Sequence, residues 1–143
     1  MTLQDDERQI LSNLYMEKAQ KSLAVSEEQK NSNPDISISR AYYSMFYAAQ
    51  GALIQEGAVA IRKHEGVNNK FSKHFVKSGE FPKDIFRMMG RLEQDRYEAD
   101  YNPRKAFSPE QAEKSIENAR KFVGAVAEMV KKRMEKSRVS GVN

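Results

Sequence analysis

The sequence predicts an all-α protein, an up-and-down antiparallel bundle of five helices. Its 143 residues are about the length of one domain. Apolar residues recur at steps of three and four, which is the helical period, and no run of alternating β-branched residues predicts a strand. Short polar connections between such segments favour an antiparallel bundle. Four prolines mark these connections: Pro34, Pro82, Pro103 and Pro109.

The composition excludes several classes of protein. The chain has no cysteine and only two histidines, so it can hold neither a disulfide scaffold nor a thiolate or three-histidine metal site. No apolar stretch reaches the roughly eighteen residues expected of a membrane span, and the N-terminus is acidic, unlike a secretory signal. We therefore expect a cytoplasmic protein that needs no metal or cofactor and binds no membrane.

The first two helices are predicted from about Asp5 to about Lys30 and from Pro34 to about Gly57. Asn33 can cap the second helix, and Pro34 suits its first turn. The first helix has one apolar stripe, which we expect to face the core. Its members are Leu11, Leu14, Tyr15, Ala19 and Leu23.

The second helix is apolar on every side, with Arg40 as its only charged residue between Ile36 and Gln55. A helix of this kind is buried on every side. Two interpretations stay open: one chain covers the helix entirely, or its second stripe contacts a second subunit in a two-fold dimer. The first stripe contains Ile38, Tyr42, Met45, Ala49 and Leu53, and the second contains Tyr43, Phe46, Tyr47 and Ile54.

The third and fourth helices are less regular. The third is predicted over about 64–78, and we expect His74 to be half-buried in the core rather than a metal ligand. The fourth is predicted to begin at Pro82. The segment 98–107 is predicted to be a loop, because Pro103 disfavours helix at the residue before it. The buried face of the third helix is formed by Val67, Phe71 and Phe75.

The fifth helix opens at Ser108 with a capping box. Arg133 interrupts its apolar seam, so the chain divides into one bundle over residues 1–130 and a basic tail over 131–143. The tail is either a solvated helix end or a segment that contacts phosphate. The seam consists of Ala112, Ile116, Ala119, Val123, Val126 and Val130.

Arg40 is the first candidate for a site residue. An unpaired charge on an apolar helix is costly, so Arg40 needs a carboxylate partner or must extend to water. We expect an ion pair with Asp100, which ties the second helix to the segment after the fourth. The alternative is that Arg40 binds a phosphate, because the planar guanidinium matches phosphate oxygens.

The segment 95–101 is dense in charges and tyrosines. If the fourth helix extends this far, Arg96 and Asp100 pair four residues apart, and Tyr97 and Tyr101 do the same. The segment is then either an anchored helix end or a nucleotide or RNA site. In such a site arginine contacts phosphate and tyrosine stacks on a base.

Four blocks of the sequence resemble the small prokaryotic HEPN-domain proteins. They are Ser-Arg-Ala-Tyr-Tyr-Ser-Met-Phe-Tyr-Ala-Ala at 39–49, Lys-His-Glu-Gly at 63–66, Phe-Ser-Lys-His-Phe-Val-Lys at 71–77, and Arg96 with Ala99, Asp100 and Tyr101. The resemblance implies a HEPN bundle, usually a homodimer, that often forms a toxin–antitoxin pair with a minimal nucleotidyltransferase. Many HEPN proteins are metal-independent ribonucleases, with an arginine-x4–6-histidine motif from both protomers in a shared cleft.

No arginine of this chain is followed by a histidine at the spacing of that motif. Its nearest equivalents end in tyrosine, namely Arg96 with Tyr101 and Arg40 with Tyr47. Tyrosine is a poor general base at neutral pH, so we expect an interaction subunit that partners a minimal nucleotidyltransferase. A nucleotide or RNA phosphate contacts Arg40, Arg96 and Tyr101 in this hypothesis, and Tyr47 and Asp100 complete the candidate ligand-binding set. The alternatives are a ribonuclease toxin with tyrosine in place of histidine, and a dimeric bundle without a ligand.

Overall fold

The computed structural model describes residues 5–57 and 64–141 of the chain. Within these ranges it contains no strand and five α-helices: α1 (Asp5–Gln29), α2 (Pro34–Gln55), α3 (His64–Phe71), α4 (Lys83–Tyr101) and α5 (Pro109–Gly141). A π-helical turn, Ser72–Val76, directly continues α3. The predicted all-α bundle of five helices is therefore confirmed. None of the described helices is both long enough and apolar enough to cross a membrane.

The helix α2 lies at the centre of the bundle and packs against each of the other four α-helices. Fifteen of its 22 residues are buried. Phe46 and Ile54, from the stripe that could have contacted a second subunit, are covered by the chain itself. Tyr43 and Tyr47, from the same stripe, are only half-buried. One chain therefore covers most of α2 and leaves a narrow strip of it open.

The face of α1 that contacts the bundle differs from the predicted apolar stripe. Leu14 is 51% exposed, so its prediction as a core residue is wrong. Ala19 and Leu23 are buried as predicted. The core-facing positions beside them are serines rather than leucines, because a serine hydroxyl can bond to a backbone carbonyl across a close helix contact. These serines are Ser12, Ser22 and Ser26.

Small residues let the backbones of α1 and α2 approach closely. The hydroxyls of Ser26 and Ser37 each donate to the other residue's carbonyl oxygen at 2.7 Å. The Ser12 hydroxyl donates to the carbonyl oxygen of Gly51 at 2.8 Å. A Cβ atom at Gly51 would lie 3.2 Å from the Ser12 carbonyl oxygen and 3.3 Å from the Cβ of Tyr15. The interface therefore satisfies its buried hydroxyls and has little room for a larger residue.

The boundary between α2 and the preceding turn is at the predicted place, but the capping interaction is different. Asn33 occupies the N-cap position, yet its side chain makes no capping hydrogen bond. Its Nδ2 atom instead donates to the Oε1 atom of Gln29 at 2.7 Å. The prediction that the Asn33 side chain caps α2 is therefore wrong, because the side chain of Gln29, one turn earlier, binds it.

Two further predictions in the second half of the chain are wrong. Helix α4 continues to Tyr101, so the connection to α5 begins at Asn102 rather than at residue 98. Within the predicted loop, the helical conformation persists up to Tyr101 and is lost at Asn102, the residue directly before Pro103. His74 is exposed rather than half-buried. It lies in the π-helical turn, which is wider than an α-helical turn, so it does not continue the face of α3 that packs into the core.

Helix α5 begins with the predicted capping box. The Ser108 hydroxyl accepts from the N–H of Gln111 at 3.1 Å, and the Gln111 side chain accepts from the N–H of Ser108 at 2.8 Å. The helix then continues without a break through residue 130 to Gly141. The role of residues 131–143 as a separate basic tail stays a prediction.

Arg133 attaches the C-terminal part of α5 to the rest of the bundle. Its Nε atom donates to Oε2 of Glu80 at 2.6 Å, and it forms a second ion pair with Glu56. Its guanidinium carbon lies 4.8 Å from the centre of the Phe75 ring. The residue that interrupts the apolar seam therefore connects α5 to the end of α2 and to the connection between the π turn and α4.

Candidate functional site

One strip of α2 stays open between α1 and α4. Its members are exposed or half-buried and follow one another at steps of four, three and four, which places them on one helix face. They are Ile36, Arg40, Tyr43 and Tyr47. Helix α1 borders this open strip through Lys18, whose ammonium group lies 4.8 Å from the centre of the Tyr47 ring.

The ring of Tyr43 is the centre of the candidate site. The guanidinium carbon of Arg40 lies 4.8 Å from the ring centre. The guanidinium carbon of Arg96, which belongs to α4, lies 5.8 Å from the same ring and 5.3 Å from the ring of Tyr42. These distances are within the range of cation–π attraction. Two positive charges from two helices thus converge on one aromatic ring.

Asp100 forms its ion pair with Arg96. Its Oδ2 atom lies 3.5 Å from Nη1 of Arg96 and accepts a hydrogen bond from the hydroxyl of Ser39 at 3.5 Å. The pairing of Arg96 and Asp100 four residues apart, expected if the fourth helix extends this far, is confirmed. The predicted ion pair between Arg40 and Asp100 is wrong, because α4 continues to Tyr101 and carries Asp100 beside Arg96. We call Arg40, Tyr43, Arg96 and Asp100 the Tyr43 site.

The two arginines of the Tyr43 site have hydrogen-bond donors to spare. Arg40 forms no ion pair with any residue in the described ranges, and its contact there is the ring of Tyr43. Arg96 is only 8% exposed, and its Nε atom has no hydrogen-bond partner within the described part of the chain. A guanidinium presents five N–H donors, and the contact of Asp100 with Arg96 is to Nη1, at 3.5 Å. The site therefore has an excess of positive charge, which suits an anion such as phosphate.

The remaining predicted site residues lie at the edges of the Tyr43 site. The ring of Tyr47 is 6.0 Å from that of Tyr43, centre to centre. Tyr101 directly follows Asp100 at the end of α4, and it is exposed. Its ring lies 5.0 Å from that of Tyr97, which confirms the expected pairing of these two tyrosines. The structure therefore brings both arginines to the ring of Tyr43 with Tyr47 beside it, whereas the ring of Tyr101 packs on Tyr97.

The tyrosine beneath the site keeps its proton. Burial raises the pKa of Tyr42 above its ordinary value, and the nearby carboxylate of Glu93 raises it further. A neutral phenol can donate a hydrogen bond, but it cannot take up a proton as a general base does. Tyr42 is therefore not a general base at neutral pH. Elsewhere in the described ranges, no three histidine, aspartate or glutamate side chains gather as metal ligands would.

Three contributors to the site were not found from the sequence. Tyr43 was assigned to an apolar stripe, although its spacing of three from Arg40 could have indicated a cation–π pair on one helix face. Ser39 and Lys18 carry no comparable signal. Their partners lie on other helices, and only the packing of the bundle brings them together.

The fold and the site together define a small all-α bundle with an arginine–tyrosine site between its second and fourth helices. The chain matches the family model of the HEPN domain over residues 12–131, and it belongs to that family.

Several proteins with similar sequences extend this comparison. Putative toxin MJ0142 of Methanocaldococcus jannaschii is 37% identical over 99 residues, which cover 68% of this chain and 67% of that protein. A UPF0332 protein of Thermotoga maritima is 29% identical over 101 residues, covering 71% and 76%. UPF0332 protein PH1297 of Pyrococcus horikoshii is 42% identical over 71 residues, covering 44% and 49%.

Proposed function

We propose that this chain is the HEPN subunit of a toxin–antitoxin-type module and that it binds a nucleotide or RNA phosphate at the Tyr43 site. Membership of the HEPN family and the relative whose name describes a toxin support this type of module. The proposed partner is a minimal nucleotidyltransferase, as the family resemblance implies.

The convergence of Arg40 and Arg96 on the ring of Tyr43 is the observation that carries the proposal. A phosphate beside both guanidinium groups would form charge-assisted hydrogen bonds, which are about twice as strong as neutral ones. The Tyr43 ring offers a surface on which a base can stack. Because Arg40 has no carboxylate partner in the described ranges, an anion can bind it without breaking an ion pair.

The homodimer is part of the same proposal. The open strip of α2 carries two tyrosines and Ile36 around a single charge, and it is the part of α2 that the chain leaves uncovered. A second copy related by a two-fold axis would pack the Ile36 end of the same strip against itself and leave Tyr43 at the edge of the contact. The two Tyr43 sites would then border one cleft, and each phosphate would be within reach of both protomers.

Binding without rapid RNA cleavage is the proposed activity. Tyrosines stand where the ribonuclease motif has histidine, and a phenol ionises near pH 10. The second candidate, a ribonuclease toxin, is favoured by one specific observation. The exposed side chain of Tyr101 ends α4, with four residues between it and Arg96, which is the place of the histidine in the arginine-x4–6-histidine motif.

Calorimetry tests the ligand. Wild-type protein should release or absorb heat on titration with AMP or with an oligouridylate of about ten nucleotides. Arg40→Gln should weaken the binding by about tenfold, because it removes one charge-assisted contact. Arg104→Gln removes an exposed arginine of the α4–α5 connection and should leave affinity unchanged within about twofold. If neither probe gives heat with the wild type, the ligand-free bundle becomes the better description.

Co-expression tests the partner and separates the two candidate functions. A tagged minimal nucleotidyltransferase from the same genome should retain this chain on an affinity column, while cellular RNA stays intact. Growth arrest with RNA cleavage would favour the ribonuclease instead. In that case Tyr101→Phe, which removes only a hydroxyl, should abolish the arrest, and the matched variant Tyr97→Phe should not.

A further inference from the structure

A groove lies between the α3 side of the bundle and α4, and none of its lining residues belongs to the Tyr43 site. It encloses about 540 Å³. Its walls carry two arginines, two asparagines, a serine and a partly exposed aromatic ring, and no acidic residue lines it. The α3 side contributes Asn68, Asn69 and Ser72, and α4 contributes Phe86, Arg87, Met89, Gly90 and Arg91.

The two arginines of this groove are exposed and unpaired. Neither Arg87 nor Arg91 forms an ion pair with any residue in the described ranges, and both are exposed. They lie one helical turn apart, so their Cα atoms are separated by about 6 Å along α4. Like charges at this spacing repel each other. A ligand with successive negative charges would relieve that repulsion and could contact both guanidinium groups.

The surrounding segment is also basic. Residues 66–91 contain six lysines and arginines and two acidic residues. One of these acids, Glu80, is bound by Arg133 and so does not neutralise the groove. Glu93 lies outside the lining of the groove and accepts a hydrogen bond from Nδ2 of Asn68 at 3.2 Å. The free charge of this part of the surface is therefore positive.

An aromatic ring and a change of helix type accompany the charges. The ring of Phe86 stacks on that of Phe71 at 5.9 Å between centres and 5° between planes, so it is held firmly while its outer part stays accessible. Ser72, on the opposite wall, is the first residue of the π-helical turn. Short π-helical turns occur frequently at functional sites.

We infer that this groove binds single-stranded RNA, with Arg87 and Arg91 on successive phosphates and Phe86 against a base. Basic grooves with aromatic side chains are the general means of binding single strands without sequence preference. An acidic peptide would satisfy the arginines but would make no use of the aromatic ring. The inference is independent of the Tyr43 site, because no residue is shared between the two.

A pair of glycine variants provides the sharpest test. A Cβ atom at Gly90 or at Gly124 would meet no described atom within 4 Å. Gly90→Glu places a carboxylate in the groove, whereas Gly124→Glu places the same charge on α5. Both changes favour helix formation, so neither should impair folding. In fluorescence anisotropy with a labelled oligouridylate, Gly90→Glu should weaken binding by about tenfold and Gly124→Glu by less than about twofold.

The salt dependence supplies a second measurement. Each phosphate contact on a single strand contributes about 0.7 to the slope of log affinity against log salt. Arg87→Gln with Arg91→Gln should therefore lower the slope by about 1.4, and Lys114→Gln with Lys121→Gln, two exposed lysines of α5, should leave it unchanged.

Three outcomes would overturn the inference: no binding of the oligouridylate at low salt, equal weakening by both glycine variants, or equally tight binding of an oligoglutamate of the same charge. Arg40→Gln in the same titration separates the two sites. If the Arg40→Gln variant binds RNA as tightly as the wild type and Gly90→Glu does not, the result supports RNA binding in the groove. The same result contradicts phosphate binding at the Tyr43 site.

Discussion

Arg96 is the one charged residue among the buried residues of the described part of the chain. Removing a guanidinium from water is costly unless other groups replace the water. Here Asp100 provides a carboxylate, and the rings of Tyr42 and Tyr43 provide cation–π contacts. The role of Asp100 in stability is therefore to prevent a buried charge from being stranded.

A double-mutant cycle tests this role. Asp100→Ala should lower the free energy of unfolding by about 1–3 kcal/mol, because Arg96 loses its charged partner. In the double variant of Asp100→Ala with Arg96→Met, the change in the free energy of unfolding should differ from the sum of the two single changes by about 1 kcal/mol. The corresponding cycle of Arg40→Met with Asp100→Ala should be close to additive. Urea denaturation measures all of these variants, and a larger coupling in the Arg40 cycle would contradict the pairing seen here.

Among the helices, the contact of α1 with α2 depends on the absence of a side chain at Gly51. A glycine within a helix normally costs about 1 kcal/mol relative to alanine. At Gly51 the close approach of the Ser12 carbonyl opposes this preference, because an added methyl group requires the backbone of α1 to shift. Overpacking of this kind typically costs about 1–3 kcal/mol.

The comparison of two alanine variants isolates this effect. Gly124→Ala, in open space on α5, should raise the free energy of unfolding by about 0.5–1 kcal/mol. Gly51→Ala should lower the free energy of unfolding relative to Gly124→Ala by about 1–3 kcal/mol. Thermal or urea unfolding measures both. Equal stabilisation by the two variants would show that α1 and α2 separate easily.

The attachment of α5 by Arg133 should depend on pH. Hydrogen bonds from Arg133 hold the pKa of Glu80 below its ordinary value. Because the folded state lowers the pKa of Glu80, the ionised carboxylate stabilises the fold at pH values above its unfolded-state pKa of about 4.3. This contribution is lost as the pH falls through the lower pKa of the folded state.

Glu80→Gln should therefore lower the free energy of unfolding at neutral pH by about 1 kcal/mol or less, since the ion pair is partly exposed. At about pH 3 the difference from the wild type should be smaller, because the wild-type carboxylate becomes protonated as well. Glu117→Gln, at an exposed position on α5, is the matched control. If Glu80→Gln lowers the free energy of unfolding by the same amount at neutral and at acid pH, that result would contradict the ion pair.

The sequence was sufficient to predict the features that depend on neighbouring residues of a single helix. The capping box at Ser108, the helix starts and the pairing of Arg96 with Asp100 all depend on residues within four positions of one another. Contacts between helices were not predictable in the same way. Whether Leu14 or Ser12 faces the core depends on how closely α2 approaches, and that distance depends on Gly51, 39 positions away from Ser12.

At the scale of the whole molecule, the uncovered apolar surface indicates where a second copy would pack. Ile36, on the open strip of α2, is 49% exposed, and Tyr43 and Tyr47 beside it are half-buried. Ile10 on α1 is 60% exposed but does not belong to this strip. Single exposed apolar residues are ordinary, whereas several uncovered apolar side chains on one helix face are typical of an interaction surface.

The proposed dimer predicts different outcomes for the same isoleucine-to-glutamate change at two positions. Ile36→Glu places a charge at the proposed two-fold interface, where it meets the same charge of the second copy, so it should convert a dimer to a monomer. Ile10→Glu adds the same charge away from the strip and should leave the dimer intact. Both residues are exposed in the single chain, so neither change should unfold it. Sedimentation equilibrium at micromolar concentration measures the mass. A monomeric wild type, or a dimer that survives Ile36→Glu, would remove the second copy from the open strip and leave the Tyr43 site as a feature of one chain.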